Sequence, residues 1–324
     1  MSEPVTTLTF ATMNLFNYVE PPNAFYDFGN IYTQVQWQKK CDWLERQLNQ
    51  VNADVVGFQE VFSPKALQAQ LRRLGYAYFA TVDGPHIADD YIYTHPVVAI
   101  ASRYPIESAT RIQHARALSP DRFTFSREPL HAVITLPVIG HTDVYIVHFK
   151  SQRPMEGELL SDTTSECVWR QELAGRWQSS IQRGWEAHCL HQSLVTTKQQ
   201  SQRPCLVMGD FNADYHSGEF AALRSNGPYR QDPQPYARYH LHDAWHLFSD
   251  QEVTRPFTHY AGPQGSVLDY ILVSDEFRSS SSFCLADILR YQVIDKHLVN
   301  PDYAIDRDSS DHALVALSVT CRAG

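Results

Sequence analysis

The chain has 324 residues, of which 43% are hydrophobic and 19% are charged. This composition is ordinary for a folded globular protein, and it excludes a disordered or fibrous chain. The 36 acidic residues outnumber the 27 basic ones, which gives a formal charge of −9 at pH 7. That balance argues against sequence-independent binding of polyanions through a broad basic surface. It leaves room for an enzyme that holds an anionic substrate through a few local cations.

The sequence shows no sign of a transmembrane helix, a signal peptide or a cysteine framework. No apolar run reaches the length of about eighteen residues expected of a transmembrane helix, and the N-terminus lacks the cationic start and apolar run of a signal peptide. The six cysteines lie far apart with no C-x-x-C pair, which predicts free thiols. No repeat or linker divides the chain. We therefore expect one domain over residues 1–324, located in the cytoplasm, without stable membrane association or an obligate protein partner.

Short apolar runs of strand length alternate with helical or loop segments along the chain. In chain order the pattern predicts a strand at Leu8–Met13, a helix over residues 36–50, a strand at Asp54–Phe58, a helix from Ser63 to Gly75, strands at Val97–Ala101, His131–Thr135 and Val144–Val147, a helix from Thr164 to Ile181, and strands at Pro204–Met208, Val267–Val273 and Ala313–Val319. Such a mixture predicts a layered α/β domain with sheets buried between helices.

Aromatic residues are expected mainly in this core. The six tryptophans are predicted to be core residues, with the alternative that one of them lies at the rim of a cleft; they are Trp37, Trp43, Trp169, Trp177, Trp185 and Trp245. Between the first strand and the first helix, residues 18–36 form an insertion rich in tyrosine and phenylalanine. This insertion is predicted either to form a lip over a cleft or to pack on its own apolar residues.

Polar side chains gather where the predicted strands end. They are Asn14, Glu60, His148 with Lys150, Asp210 with Asn212, Asp269, and Asp311 with His312. Strand ends that open into one cleft are the usual ligand position in α/β architectures. A single carboxylate after a strand is usually a cap or part of a turn. The repetition of the pattern at six places points instead to one chemical site.

The order and spacing of these residues resemble the endonuclease/exonuclease/phosphatase superfamily, the deoxyribonuclease I-like hydrolases. The matching motifs are Asn14, Gln59-Glu60, His148, G-D-F-N-A-D over residues 209–214, Leu268-Asp269-Tyr270 and Ser310-Asp311-His312. The resemblance implies an α/β (α+β) fold built as a four-layer α/β/β/α sandwich, with two central mixed β-sheets flanked by helices. It also implies hydrolysis of phosphate esters with a divalent ion, usually Mg²⁺, for which Mn²⁺ or Ca²⁺ can substitute.

The resemblance also implies the ligands of the metal ion. Glu60 would be the principal ligand, with Asn14 beside it and Asp311 contributing directly or through water. Mg²⁺ prefers oxygen ligands and keeps several waters, so one or two carboxylates plus substrate are enough to hold it.

The same resemblance implies roles for five catalytic residues. Asp210 would orient or deprotonate the attacking water, and Asn212 would hold this water and the phosphate. Asp269 would position His312, and His148 would face the scissile phosphate from the other side as a general acid or an electrostatic stabiliser. The division of labour between His148, His312 and Asp210 stays open at the level of sequence.

Two cations are candidates for substrate binding. Arg127 resembles a phosphate-contacting arginine of the nucleases, and the alternative is a surface ion pair with Glu128. Lys150 alternates onto the same strand face as His148 and is predicted to meet the same phosphate, the alternative being a solvated lysine. One departure concerns residues 93–96, Tyr-Thr-His-Pro, where pancreatic-type nucleases carry a glutamate that orients the histidine corresponding to His148.

The substrate class is where the sequence leaves alternatives. A nuclease acting on DNA or RNA is favoured, so that the substrate partner would be nucleic acid. The alternative is a phosphatase or phosphodiesterase acting on inositol phosphates or sphingomyelin-type lipids, for which Arg111, Arg116 and Arg122 could form a basic cup. A second alternative is a catalytically inactive binding scaffold, which the intact set of Glu60, Asp210 and His312 argues against.

Overall fold

The computed structural model describes residues 6–113, 119–121, 123–155, 164–224, 232, 234–248 and 253–322. Its elements in chain order are β1 (Thr7–Tyr18), β2 (Ala24–Phe25), α1 (Gln34–Val51), β3 (Val55–Val61), α2 (Pro64–Arg73), β4 (Tyr78–Ala80), β5 (His86–Ala88), β6 (Ile92–His95), β7 (Val97–Ser102), β8 (Ile106–Arg111), β9 (Leu130–Leu136), β10 (Gly140–His148), α3 (Ser165–Ser201), β11 (Cys205–Asp210), β12 (His242–Asp243), α4 (Ala244–Phe248), β13 (His259–Ala261), β14 (Gln264–Ser266), β15 (Asp269–Val273), β16 (Ala286–Ile294), α5 (Lys296–Val299), α6 (Tyr303–Asp306) and β17 (Leu314–Cys321). Short 3₁₀ helices cover Gly218–Phe220, Gln234–Tyr239 and Asp275–Phe277.

Two six-stranded sheets form the centre of the molecule. Their strand orders are β16-β17-β1-β3-β7-β4 in the first sheet and β12-β15-β11-β10-β9-β8 in the second. Both are mixed, because β1 pairs parallel with β3 and β10 pairs parallel with β11, whereas the neighbouring pairs β1–β17 and β11–β15 are antiparallel. Each predicted strand is therefore present, at the centre of one sheet or the other.

Three apolar clusters join these sheets to each other and to the helices. Between the sheets, Phe10 and Val55 of the first sheet pack with Ile146 and Met208 of the second. A second cluster joins the outer face of the first sheet to α1 and α2, and a third joins the outer face of the second sheet to α3. The order helix, sheet, sheet, helix confirms the predicted four-layer α/β/β/α sandwich.

The helices begin as the sequence predicts, but α3 is longer than expected. The side chain of Thr33 caps α1 in a reciprocal capping box with Gln36, and Thr164 caps α3 by accepting a hydrogen bond from the amide of Cys167. Helix α3 continues past Ile181 to Ser201. None of the helices in the described ranges combines the length and apolar character that crossing a bilayer requires.

The prediction that all six tryptophans are core residues is wrong for two of them. Trp37, Trp43 and Trp245 are buried and Trp185 is half-buried, but Trp169 and Trp177 on the first half of α3 are 57% and 68% exposed. Only the second half of α3 contributes apolar side chains to the cluster beneath the second sheet. A stripe of apolar residues at four-residue spacing is the same in sequence whether or not a sheet lies beneath it.

The register of the strands gathers the polar strand ends at one edge. Asn14 on β1 lies opposite Gln59 on β3, next to Glu60. In the second sheet His148 pairs with Asp210, and Asp210 pairs in turn with Asp269. Because the two sheets stack with these ends on the same side, the sequence-distant residues converge on a single cleft.

Candidate active site

Asp210, at the end of β11, is the centre of the polar cluster. Its Oδ2 atom accepts hydrogen bonds from the Nδ2 atoms of Asn14 and Asn212, each at 3.1 Å. The same oxygen lies 3.5 Å from Nε2 of His148 and 3.8 Å from Nε2 of His312. Its Oδ1 atom accepts the backbone N–H of Asn212 at 2.8 Å. Asp210 thus places one oxygen among four of the predicted site residues.

Burial shapes the acidity of this carboxyl group. Asp210 is 1% exposed. Burial raises the pKa of Asp210, against the lowering effect of the neighbouring His312 imidazolium. A carboxylate with a raised pKa is a stronger base than an exposed aspartate, which suits proton abstraction near neutral pH.

His312 and Asp269 form a buried pair on the far side of Asp210. Nδ1 of His312 lies 2.9 Å from Oδ2 of Asp269, and the backbone of His312 is fixed by its N–H donating to the Ser310 hydroxyl. Burial alone would lower the pKa of His312, but the charges of Asp269 and Asp210 raise it well above the usual histidine value. His312 is therefore a cation that faces the cleft.

His148 is the electrostatic opposite of His312. It is 3% exposed, and burial together with the nearby charges of Arg127 and His312 lowers its pKa well below the usual histidine value. Its Nδ1 atom is buried and has no hydrogen-bond partner within the described residues. The acid that faces this ring is Asp210, on the Nε2 side at 3.5 Å; no acid of the described residues bonds to Nδ1, in agreement with the missing glutamate noted in residues 93–96.

Glu60 is held by an unusual backbone conformation at the end of β3. Its φ angle is +58°, and Phe16 and Asn17 across from it also have positive φ. The Asn17 N–H donates to Oε2 of Glu60 at 2.9 Å, and Nδ2 of Asn14 lies 3.4 Å from Oε1. Backbone strain of this kind persists only where the surroundings fix it, and it concentrates at functional sites.

The oxygen donors of the cleft fit a hard divalent cation. Glu60 and Asp311 line the same cavity of about 470 Å³. Oδ1 of Asp311 is buried without a hydrogen-bond partner in the described part of the chain. Unpaired carboxylate oxygens are the ligands that Mg²⁺ prefers. Asn14, by contrast, turns its Nδ2 toward Glu60 and Asp210 while its Oδ1 accepts the N–H of Phe16.

The two predicted phosphate-binding cations lie in different places. Arg127 lines the cleft, and its Nη1 is 3.5 Å from the carbonyl of Phe149. Lys150 is not brought to the cleft wall: its Nζ donates to the Ser151 and Arg153 carbonyl oxygens at 3.3 and 3.1 Å. For the alternative basic cup, Arg111 pairs with Asp83 at 2.9 Å outside the cleft lining, and Arg116 and Arg122 lie outside the described residues.

The structure adds one cleft residue that sequence patterns did not single out. His259, on β13, pairs through its backbone with His312, and its Nε2 lies 4.0 Å from Oδ2 of Asp311. His259 follows no strand of the central sheets, so the rule that located the other candidates could not find it.

Tyr26 belongs to the insertion over residues 18–36, for which a lip over the cleft was one of two predicted arrangements. It lines the cleft with a φ of +61° and packs edge-to-face on Phe62.

The sequence matches the Endonuclease/Exonuclease/phosphatase family model over residues 41–312, and the chain belongs to this family. Members of the family are hydrolases that act on phosphoester bonds, generally with a divalent metal ion. No curated protein is similar enough in sequence to be matched to the chain.

Solved structures with the same fold cover nearly the whole chain. The human Nocturnin catalytic domain with bound sulfate is 16% identical, covers 98% of this chain and 95% of its own, and superimposes with a TM-score of 0.59. ANGEL2, a 2′,3′-cyclic phosphatase, is 11% identical over 98% and 95% of the two chains, with a TM-score of 0.58. An AP endonuclease from Archaeoglobus fulgidus is 15% identical over 96% and 98%, with a TM-score of 0.53. At these identities the likeness establishes the fold.

Proposed function

We propose that the chain is a metal-dependent phosphodiesterase whose substrate is nucleic acid. The observation that carries this proposal is the convergence on Oδ2 of Asp210 of two amides and two imidazoles, in a cleft that also holds the carboxylates of Glu60 and Asp311. An activated water, cations for the phosphorane and oxygen ligands for a metal are what phosphodiester hydrolysis needs.

Asp210 acts in this proposal as the general base. It takes a proton from a water in the cleft, and Asn212 fixes the carboxylate for this transfer, since the Asn212 Nδ2 donates to Oδ2 of Asp210 and to the carbonyl oxygen of Phe149. The raised pKa of Asp210 favours this transfer near neutral pH. The water oxygen then bonds to phosphorus as the ester oxygen on the opposite side leaves.

The two histidines contribute differently because their charges differ. His312, protonated and fixed by Asp269, places a cation beside the negative charge that grows on the phosphoryl oxygens. His148 is neutral, and because its Nε2 faces the acceptor Oδ2 of Asp210 at 3.5 Å, its single proton is placed on Nε2, which donates a hydrogen bond to the phosphate when substrate is bound. Arg127 adds a second cation at the cleft wall.

Glu60 and Asp311 would hold the metal ion, with Asn14 fixing the carboxylate of Glu60. A divalent ion bound there would act as a Lewis acid on a non-bridging phosphate oxygen. The ion would also offset the negative charge of the carboxylates that line the cleft, which has to bind an anionic substrate.

The rim of the cleft favours nucleic acid over the alternatives. Phe16 and Tyr26 line the cleft with rings that are 38% and 43% exposed, and such rings can stack on bases. Arg127 and Arg153 line the same cleft and suit the phosphates of a strand. Among the structural neighbours, an AP endonuclease acts on nucleic acid by its name.

The test is plasmid nicking and oligonucleotide cleavage by purified protein with Mg²⁺, with EDTA and the Asp210→Asn variant as negative controls. Loss of a general base lowers turnover by about 10²–10⁴-fold. Asp287→Asn, at an exposed ion pair with Arg322, is the matched control and should cleave normally. Metal-dependent phosphate release from inositol phosphates or phosphocholine release from sphingomyelin, without cleavage of DNA or RNA, would contradict the nucleic-acid assignment. No hydrolysis of any of these esters would contradict the catalytic assignment.

A further inference from the structure

A second cavity of about 420 Å³ adjoins the catalytic cleft. Gln152 and Arg153 line both spaces, so the two cavities adjoin at these residues. The other lining residues of the second cavity are Pro154, Arg176, Ser180 and Arg183. Its charged lining residues are all arginines, and no carboxylate belongs to the lining within the described ranges. The lining therefore presents guanidinium N–H donors, which suit an anion.

The loop that presents Arg153 is fixed to α3. The hydroxyl of Ser179 donates to the Arg153 carbonyl at 2.6 Å, and the N–H of Met155 donates to the Gly175 carbonyl at 3.1 Å. Gly175 is required for this contact, because a Cβ at that position would lie 2.5 Å from the Met155 carbonyl oxygen. Arg153 thus projects from a backbone that is held on both sides.

The same loop is tied to the catalytic centre. Nε2 of Gln152 donates to the carbonyl oxygen of Asn212 at 2.8 Å, and the side chain of Asn212 bonds to Asp210. Two hydrogen bonds that run through Asn212 therefore link the second cavity to the proposed general base. A ligand could occupy both spaces at once.

The three arginines differ in how their charge is used. Arg183 is 3% exposed and makes a bidentate ion pair with Glu219 at 2.8 and 2.9 Å, so it forms a neutralised wall. Arg176 pairs with Glu172 on the exposed surface of α3, a type of pair that stabilises little and exchanges partners readily. The guanidinium of Arg153 makes no ion pair with any residue in the described ranges.

We propose that this second cavity binds a further phosphate group of the same substrate, with Arg153 and Arg176 as its ligands. This inference rests on the proposed function, because it takes the scissile phosphate to lie in the catalytic cleft. Guanidinium groups bind phosphate through paired N–H donors, which gives both affinity and orientation. The substrate class is then a phosphodiester that carries a second phosphate: the next phosphate of a nucleic-acid strand, or the second phosphate of a nucleotide bisphosphate.

The first test measures binding and needs no turnover. Calorimetric titration in Mg²⁺ compares adenosine 3′,5′-bisphosphate with adenosine 5′-monophosphate in the wild type and in the Arg153→Gln and Arg176→Gln variants. We expect the bisphosphate to bind about tenfold more tightly than the monophosphate in the wild type, as one charged contact provides. That advantage should disappear in both variants.

Arg170→Gln is the matched control for this titration, because Arg170 lies on the same helix in the same kind of ion pair, with Glu166, but does not line the cavity. The Arg170→Gln variant should bind the bisphosphate about tenfold more tightly than the monophosphate, as the wild type does. Equal affinity for the two ligands in the wild type, or the same loss in Arg170→Gln, would overturn the proposal. Because binding alone is measured, this result does not depend on whether the protein hydrolyses phosphodiesters.

The second test distinguishes the two sources of the phosphate by kinetics. The ratio of KM for trithymidylate to KM for bis(p-nitrophenyl) phosphate, which has no second phosphate, is measured in the wild type and in Arg176→Gln. A rise of about tenfold in this ratio assigns the cavity to a nucleic-acid strand. An unchanged ratio with the bisphosphate advantage intact assigns it to a small bisphosphate nucleotide, and an unchanged ratio without that advantage overturns the proposal.

Discussion

Nδ1 of His312 lies 2.9 Å from Oδ2 of Asp269, and both residues are buried, with Asp269 fully so. The other carboxylate oxygen of Asp269, Oδ1, has no hydrogen-bond partner within the described residues. The negative charge of Asp269 is therefore committed to the imidazole of His312. This pairing keeps His312 charged at a place where burial alone would keep it neutral.

Replacing Asp269 with asparagine should lower the pKa of His312 while keeping its ring in place. Because the folded-state pKa of His312 lies above its unfolded value, the protonated ring stabilises the fold below the unfolded pKa, and this contribution is lost as the pH rises through the folded pKa. In Asp269→Asn the pKa of His312 is lower, so the stabilisation by its protonated ring is lost at lower pH than in the wild type. Histidine titration by ¹H–¹⁵N NMR measures the shift directly, and urea unfolding at several pH values measures its effect on stability.

The same variant separates orientation from direct catalysis. If Asp269 only positions and charges His312, Asp269→Asn should reduce kcat less than His312→Ala does, and most strongly at the alkaline end of the profile. An equal or larger loss across the whole pH range would mean that Asp269 takes part in the reaction itself.

Glu60 gives a prediction about metal affinity. Its Oε2 accepts the Asn17 N–H, and Asn14 lies against its Oε1, so Glu60→Gln preserves the shape of the side chain while removing its charge. We expect a higher Mg²⁺ concentration for half-maximal activity. Mg²⁺ at about 100 times its Kd stabilises a protein by about 2.7 kcal/mol, and thermal unfolding with and without Mg²⁺ should show this increment in the wild type and lose most of it in the variant.

Glu166→Gln is the control for the metal titration, since Glu166 lies on the exposed surface of α3 with 69% of its side chain accessible. Its Mg²⁺ requirement should equal that of the wild type. An unchanged requirement in Glu60→Gln would remove Glu60 from the set of metal ligands.

The sequence predicted the framework of this site because strand ends and buried side chains follow periodic rules. Asn14, Glu60 and Asp210 each come at or just after the end of a predicted apolar run, and strand pairing then brings them together, although β1 continues past Asn14 to Tyr18. The two sheets and their order in layers were predicted from the family resemblance. Hydrophobic periodicity thus predicts where a residue lies along a helix or strand.

The remaining features depend on the direction of a side chain or on packing across the molecule. Lys150 alternates onto the predicted face, yet its long, flexible side chain folds back onto the carbonyl of Arg153. Trp177 fits a buried stripe, but among the described residues the first half of α3 contributes no side chain to the apolar cluster on the second sheet. His259 meets Asp311 only because the hairpin of β13 and β14 folds over the cleft. No local pattern encodes these contacts.

Tyr26 gives a prediction about substrate binding. Its ring lines the cleft beside Arg127 and rests on Phe62 at a centroid distance of 5.5 Å. Stacking of a base on an aromatic ring is worth about 1–3 kcal/mol, so Tyr26→Ala should raise KM for an oligonucleotide by about 5–150-fold with little change in kcat. Tyr26→Phe keeps the ring and should retain most of the affinity. Equal KM values for the wild type and Tyr26→Ala would show that no base stacks there.

Gly209 gives a prediction about stability, since it precedes Asp210 at the closest approach of β10 and β11. Its φ is +150°, and a Cβ at this position would lie 2.0 Å from the carbonyl oxygen of Val147. The parallel pairing of the two strands would have to open to relieve that contact. We expect Gly209→Ala to lower the free energy of unfolding by about 3 kcal/mol or more, measured by urea denaturation. Gly218→Ala, where a Cβ meets none of the described atoms within 4 Å, should change stability by less than about 1 kcal/mol. A Gly209→Ala variant as stable as Gly218→Ala would mean that the two strands can separate locally at little cost, and the position of Asp210 would then depend on its side-chain hydrogen bonds alone.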